Sequence, residues 1–150
     1  MIREANHSDL FDVLKLAREF NKENKSFNVS CDESLERAIT KIINESFTFK
    51  TWVIESNGEV VSVLSVKISE CFFSEERVVE EVGWFSTKEA RGSLENVLLI
   101  KEVEKYAELI GADKIQMTTL FESNISLDKF IKYFNSIGYK PVQVHYSKKI

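Results

Sequence analysis

The sequence predicts an α/β protein, a mixed sheet with helices on both faces, in the order β-α-α-β-β-β-α-β-α-β. Three observations point there. Two β-branched runs, "TWVIES" and "EVVSVLSVKISECFF", meet at Asn57-Gly58, a strong hairpin signal. Four other stretches repeat apolar residues at helical spacing. One of those stretches lies between two further β-rich runs, so a helical crossover joins strands in the same sheet as the hairpins.

Met1 to Ala5 reads as a short first strand. "NHSDLFDVLKLAREFNKEN" places Leu10, Val13, Leu14, Ala17 and Phe20 on one helical face, with Ser8 as N-cap. "CDESLERAITKIINES" repeats the pattern with Leu35, Ala38, Ile39, Ile42 and Ile43. The hairpin follows, and "ERVVEEVGWFS" reads as a further strand in which Gly83 hints at a bulge or a close backbone approach. The next helix spans roughly Leu94 to Ile110, with Val97, Leu98, Val103, Tyr106, Ala107 and Ile110 near one side and Gly111 as its stop. "DKIQMTTLF" is a strand. "SLDKFIKYFNSIG" is a short helix capped by Ser126, with Leu127, Phe130, Ile131, Phe134 and Ile137 inward and Gly138 at its end. "YKPVQVHYSKKI" is a last strand, an edge that could pair across a homodimer.

One proline, Pro141, and no Gly/Ser-rich linker in 150 residues imply a single domain, 1–150. A net charge of −4 argues against nucleic-acid binding, which needs a basic face. With no apolar run of about 18 residues, no membrane span is expected. Met1-Ile2-Arg3-Glu4 leads into no apolar stretch, so no secretory signal is expected either. Cys31 and Cys71 lie in no metal-ligand spacing, and Cys71 sits among Glu70, Glu75 and Glu76. They fit reduced thiols of a cytoplasmic protein. Only His7 and His145 are histidines, which makes a histidine metal site or a Ser-His-Asp triad unexpected.

The stretch "STKEARGSLENVLL" carries the functional question. The first turn of a helix has unpaired N–H groups and positive dipole character, and a tight loop can aim them at a pyrophosphate. The amides of Ser93, Leu94, Glu95 and Asn96 are the candidates, with Arg91 and the Ser93 hydroxyl as added donors beside Gly92. The same residues also read as an ordinary helix start, with Ser93 as cap and Glu95 as a dipole-matching acid.

In element order, and in two motifs, the chain resembles the GNAT superfamily of N-acetyltransferases. The run Arg91-Gly92-Ser93-Leu94-Glu95-Asn96 is similar to the family's Arg/Gln-x-x-Gly-x-Gly/Ala loop, with Leu94 and Asn96 where glycine and glycine or alanine are usual. "KYFNSIGYKP" is similar to the second motif, and "E-x-x-W-F-x-x-x-x-x-R-G-S" resembles short single-domain members often encoded by phages. The resemblance implies the acyl-CoA N-acyltransferase fold, acetyl-CoA as cosubstrate, and an amine-bearing protein or small molecule as acceptor.

It also implies roles. A carboxylate on the fourth strand would take the amine proton, Glu81 first and Glu80 second, although either can equally be a structural or solvated acid. The fourth and fifth strands splay in this fold, so amides of Trp84, Phe85 and Ser86 would line the cofactor arm and face the thioester oxygen. The family's tyrosine acid falls on Phe134, leaving the neighbouring Tyr133 as the hydroxyl that could protonate the leaving thiolate. Asn124 could bond the cofactor, or simply shape a turn. The departures at Leu94, Asn96 and Phe134 fit a second reading, a catalytically weak binding protein of the same fold that contacts a host partner.

Overall fold

Asn57 and Gly58 both adopt positive φ, 53° and 81°, which a two-residue turn between right-twisted strands requires. The turn joins β2 (Phe49–Ser56) to β3 (Glu59–Glu70). The computed structural model describes residues 1–23, 32–118, 127–142 and 148. They belong to two units, Met1–Thr118 and Thr119–Ile150. The expected last strand falls largely outside the described residues, as do Ser126 and Asn124.

The first unit holds a five-stranded mixed sheet in sequence order: β1 (Ile2–Glu4), β2, β3, β4 (Arg77–Ser86) and β5 (Lys114–Gln116). The first four pair antiparallel, while β4 and β5 are parallel across the crossover helix α3 (Leu94–Leu109). The helices α1 (Leu10–Glu23) and α2 (Asp32–Asn44) cover one face, where Val13, Leu16, Leu35 and Ile39 pack on Val53, Val63 and Phe85. On the other face Leu99, Val103 and Ala107 of α3 pack on Trp52, Ile54, Leu64, Val66 and Val79. Successive strand residues point to opposite faces. Covering both faces is why "TWVIES" and "EVVSVLSVK" read as nearly continuous apolar runs rather than as clean alternation.

Four local expectations are corrected. The cap at the first helix is Asn6, not Ser8. Asn6 accepts the Ser8 N–H (2.9 Å), and Asp9 returns the bond by accepting the Asn6 N–H (2.8 Å), closing a capping box around a single 3₁₀ turn. On α3 the inward stripe is Asn96, Leu99, Ile100, Val103 and Ala107, and Leu98 is exposed. The run Val97-Leu98-Leu99-Ile100 fits either stripe by periodicity, and packing on the sheet selects between them. Ala38 of α2 faces solvent as well, and so does Ile137, which lies just past the end of α4 rather than on its inward stripe.

In the second unit α4 (Leu127–Ser136) carries an aromatic cluster. Phe134 is buried, stacks on Phe130 (4.4 Å between centroids), and meets Tyr133 and Tyr139 edge-on. Among the described residues no helix is long and apolar enough to cross a membrane.

Candidate functional site

β4 is bulged where the sequence places Gly83. Ser65 pairs with Gly83 and Val66 pairs with Glu81, so Val82 is an extra residue. A Cβ added to Gly83 would lie 3.0 Å from the Phe85 ring, which is pinned in turn by Phe20 (4.9 Å between centroids). The absent side chain therefore lets Phe85 fold back onto its own strand.

The opposite edge of β4 is paired for only part of its length among the described residues. Its parallel ladder with β5 covers only Val78, Val79 and Glu80. Among the described residues nothing continues that ladder from Glu81 to Ser86. The Thr87 N–H donates to Val61 O on β3 (2.9 Å). Alternation along the strand turns the Phe85 amide the same way, and turns the Trp84 and Ser86 amides towards the β5 side. Of the three amides singled out in the sequence, two thus face the β5 side, where the described residues offer them no partner.

Glu81 stands just past the described β4–β5 ladder. The chain leaving β5 bonds to its side chain, the Thr118 N–H donating to Oε2 (3.3 Å). Burial pushes the Glu81 carboxyl up to about 7, against the opposing effect of its bonds from Thr118. A carboxyl tuned to that range can take a proton near neutral pH. Glu80, one residue earlier, pairs in register with Lys67 and Gln116 within the sheet.

The loop from Thr87 to Ser93 ends β4 and starts α3. Gly92 takes φ +75°, a left-handed turn suited to glycine. Ser93 is the N-cap, its Oγ accepting the Asn96 N–H (3.4 Å), which also donates to Ser93 O (3.2 Å). The Ser93 N–H donates to Ala90 O (3.2 Å). Among the described residues the amides of Leu94 and Glu95 have no hydrogen-bond partner, and the Leu94 side chain is 82% exposed. Of the four candidate amides, two are engaged inside the loop and two are open to a ligand.

Two polar side chains, Arg91 in the loop and Asn96 in the first turn of α3, are also engaged. Arg91 pairs with Glu23 at the end of α1 (2.7 Å) and donates from Nε to Ser86 O (3.2 Å). Asn96 is 5% exposed and bonds to both β3 and β4. Tyr133 belongs to the second unit, half-buried on the flank of α4 with Phe134 inward, as helical spacing predicted. Asn124 lies outside the described residues.

Sequence reasoning passed over Ser62, Glu23 and Thr118. Ser62, fully buried, sits inside the apolar run "VVSVLSV", and a hydroxyl in such a run signals a buried polar partner. Glu23 and Thr118 carry no comparable signal, since each matters only through a residue distant in the chain.

No family model matches the chain, and no curated protein matches it in sequence. Solved structures do match in fold. An aminoglycoside N-acetyltransferase, AAC(6')-Iy, in complex with a CoA bisubstrate analogue superposes with a TM-score of 0.77 at 16% identity, covering 100% of this chain and 97% of that one. The BH1408 protein from Bacillus halodurans, as a tetramutant, gives 0.77 at 12% identity over 100% and 99%. A transcriptional regulator from Bacillus halodurans C-125 gives 0.75 at 20% identity over 100% and 99%. The five-stranded mixed sheet, the helices on both its faces and these superpositions together establish that the chain has the acyl-CoA N-acyltransferase fold of the GNAT acetyltransferases.

Proposed function

We propose that this chain is an N-acetyltransferase of the GNAT superfamily, moving an acetyl group from acetyl-CoA to a primary amine of a protein or small molecule. The observation that carries this reading is a carboxyl tuned to about 7 at the end of the described β4–β5 ladder, with helix amides that have no partner among the described residues at the far end of the same strand. Those features lie in the order the reaction needs.

The amides of Leu94 and Glu95, at the positive end of α3, hold pyrophosphate oxygens. The Trp84 and Ser86 amides bond the cofactor arm and polarise the thioester carbonyl. Glu81 accepts a proton from the ammonium or from the attacking amine. The amine nitrogen bonds to the acyl carbon, the carbon–sulfur bond breaks, and the thiolate departs. With a thiol pKa of about 8.5 that thiolate is a fair leaving group, and it takes a proton from water. The resemblance to short phage-encoded members extends the reading to a cytoplasmic enzyme of that kind.

Thermal unfolding with and without millimolar acetyl-CoA tests the class. A micromolar site contributes about 4 kcal/mol at that concentration and raises Tm by several degrees. An unchanged Tm overturns the reading. Release of free CoA thiol with a panel of amines then identifies the acceptor.

One observation favours a second reading, a binding protein of this fold with little catalysis. The arginine of the loop is already paired with Glu23. CoA-dependent turnover that disappears in Glu81→Gln excludes it.

A further inference from the structure

Asn96 occupies a position where the resembling loops carry glycine or alanine, and its side chain is turned inward rather than towards a ligand. Its amide orientation is determined by its neighbours. The Trp84 indole Nε1–H can only donate, and it lies 3.2 Å from Asn96 Oδ1. The Ala90 carbonyl can only accept, and it lies 2.5 Å from Asn96 Nδ2. The oxygen also receives the Ser62 hydroxyl at 2.6 Å and lies 3.1 Å from Ser86 Oγ. Ser62 and Ser86 are themselves 2.7 Å apart. One set of protons satisfies the whole group: Ser86 donates to Ser62, while Ser62 and Trp84 donate to Asn96.

The partners define what this side chain joins. Ser62 belongs to β3, Trp84 and Ser86 belong to the part of β4 beyond its described ladder with β5, and Ala90 belongs to the loop. Docking of α3 on the sheet has its own apolar contacts at Leu99, Val103 and Ala107. The polar cluster is therefore additional to what holds the helix in place. Its effect falls on the distance between the open amides of β4 and the open amides at the start of α3. A glycine-rich loop takes its shape from backbone freedom. Here Gly92 alone has positive φ within the loop, and a buried amide ties the rest to the strand.

Resting on the acetyltransferase reading above, we propose that Asn96 is a positioning residue: its buried carboxamide sets the phosphate-binding loop against the end of β4, so that the amides of Leu94 and Glu95 and those of Trp84 and Ser86 meet one CoA molecule.

The test is CoA binding by calorimetry to the wild type, Asn96→Ala, Asn96→Asp and a control, Val103→Ala, together with the Trp84 indole ¹H–¹⁵N resonance. Val103 is fully buried in the α3-side core and touches none of the loop, so it reports the effect of lost stability alone. The expected result is a weakening of CoA binding by about tenfold or more in Asn96→Ala, with Val103→Ala within about twofold of wild type. Asn96→Asp keeps the acceptor for Trp84 and loses the donor to Ala90. Its indole resonance stays near the wild-type position while CoA binding weakens, whereas in Asn96→Ala both change. Wild-type binding with an unaltered affinity in Asn96→Ala, or equal losses in Asn96→Ala and Val103→Ala, overturns the proposal and leaves the acetyltransferase reading standing. No CoA binding by the wild type overturns both.

Discussion

The Arg91 guanidinium lies 2.7 Å from the Glu23 carboxylate, so the arginine of the candidate phosphate loop is held by the last residue of α1. A phosphate and Glu23 would compete for the same cation. Arg91 holds the Glu23 carboxyl below its usual range, with a lesser effect from Lys88. Replacing Glu23 by Gln removes the competitor, and CoA affinity is expected to rise by about threefold to tenfold, a gain typical of a charge-assisted bond at a partly exposed site. Arg91→Glu is expected to lower it. Calorimetry at one fixed ionic strength checks both, and a drop in affinity for Glu23→Gln means that Arg91 serves to brace the loop rather than to bind.

The pH–rate profile should report Glu81. With its carboxyl at about 7, kcat/KM for a given amine rises with pH through that value as the base ionises, and Glu81→Gln loses the limb together with most of the rate, about 10²–10⁴-fold. Stability runs the other way. Because the folded-state pKa lies above the ordinary 4.5, the protonated group favours folding, and that contribution is lost as pH rises from about 4.5 through about 7. Melting curves of the wild type relative to Glu81→Gln across that window check the sign.

Gly83→Ala tests the bulge. The new methyl meets the Phe85 ring at 3.0–3.2 Å, and Phe85 is packed against Phe20. Overpacking of this kind is expected to destabilise by about 1–3 kcal/mol in urea titrations. A neutral result would show that the ring swings aside without loss.

Asp9 is 4% exposed, and its two oxygens take Arg3 Nη2 and Nη1 at 2.7 and 2.8 Å while Oδ2 also accepts the Asn6 N–H. Asp9→Ala removes all three bonds and is expected to destabilise by about 2–4 kcal/mol. Arg3 holds the Asp9 carboxyl below its ordinary 3.8, so this stabilisation is present above that pH and is lost as pH falls through the depressed value. The variant should therefore show a shallower acid limb than the wild type in denaturant midpoints measured from pH 6 downward.

Much of the scaffold was legible because its signals are local. The Asn57-Gly58 turn follows from which residues tolerate positive φ, and the α4 aromatics fall on the predicted face because Phe130 and Phe134 are one helical turn apart. Gly83 marked the bulge because a glycine in a strand interior has a backbone reason to be there. At the first helix both Asn6 and Ser8 are capping types, and only the return bond from Asp9 distinguishes them. Leu98 was misread because four consecutive apolar residues satisfy two helical stripes equally.

By itself, then, the sequence determined the order of strands and helices from β1 to α4 and the tight turn, and it singles out the region proposed as a phosphate loop, since period, propensity and φ preference act over a few neighbouring residues. Only the tertiary structure decided which groups in that region remain open. Ser62 reaches Asn96 across 34 positions, Thr118 reaches Glu81 across 37, and Arg91 turns to Glu23 on another helix. Such bonds depend on which elements the hydrophobic cores bring side by side, and no local pattern in the chain encodes them.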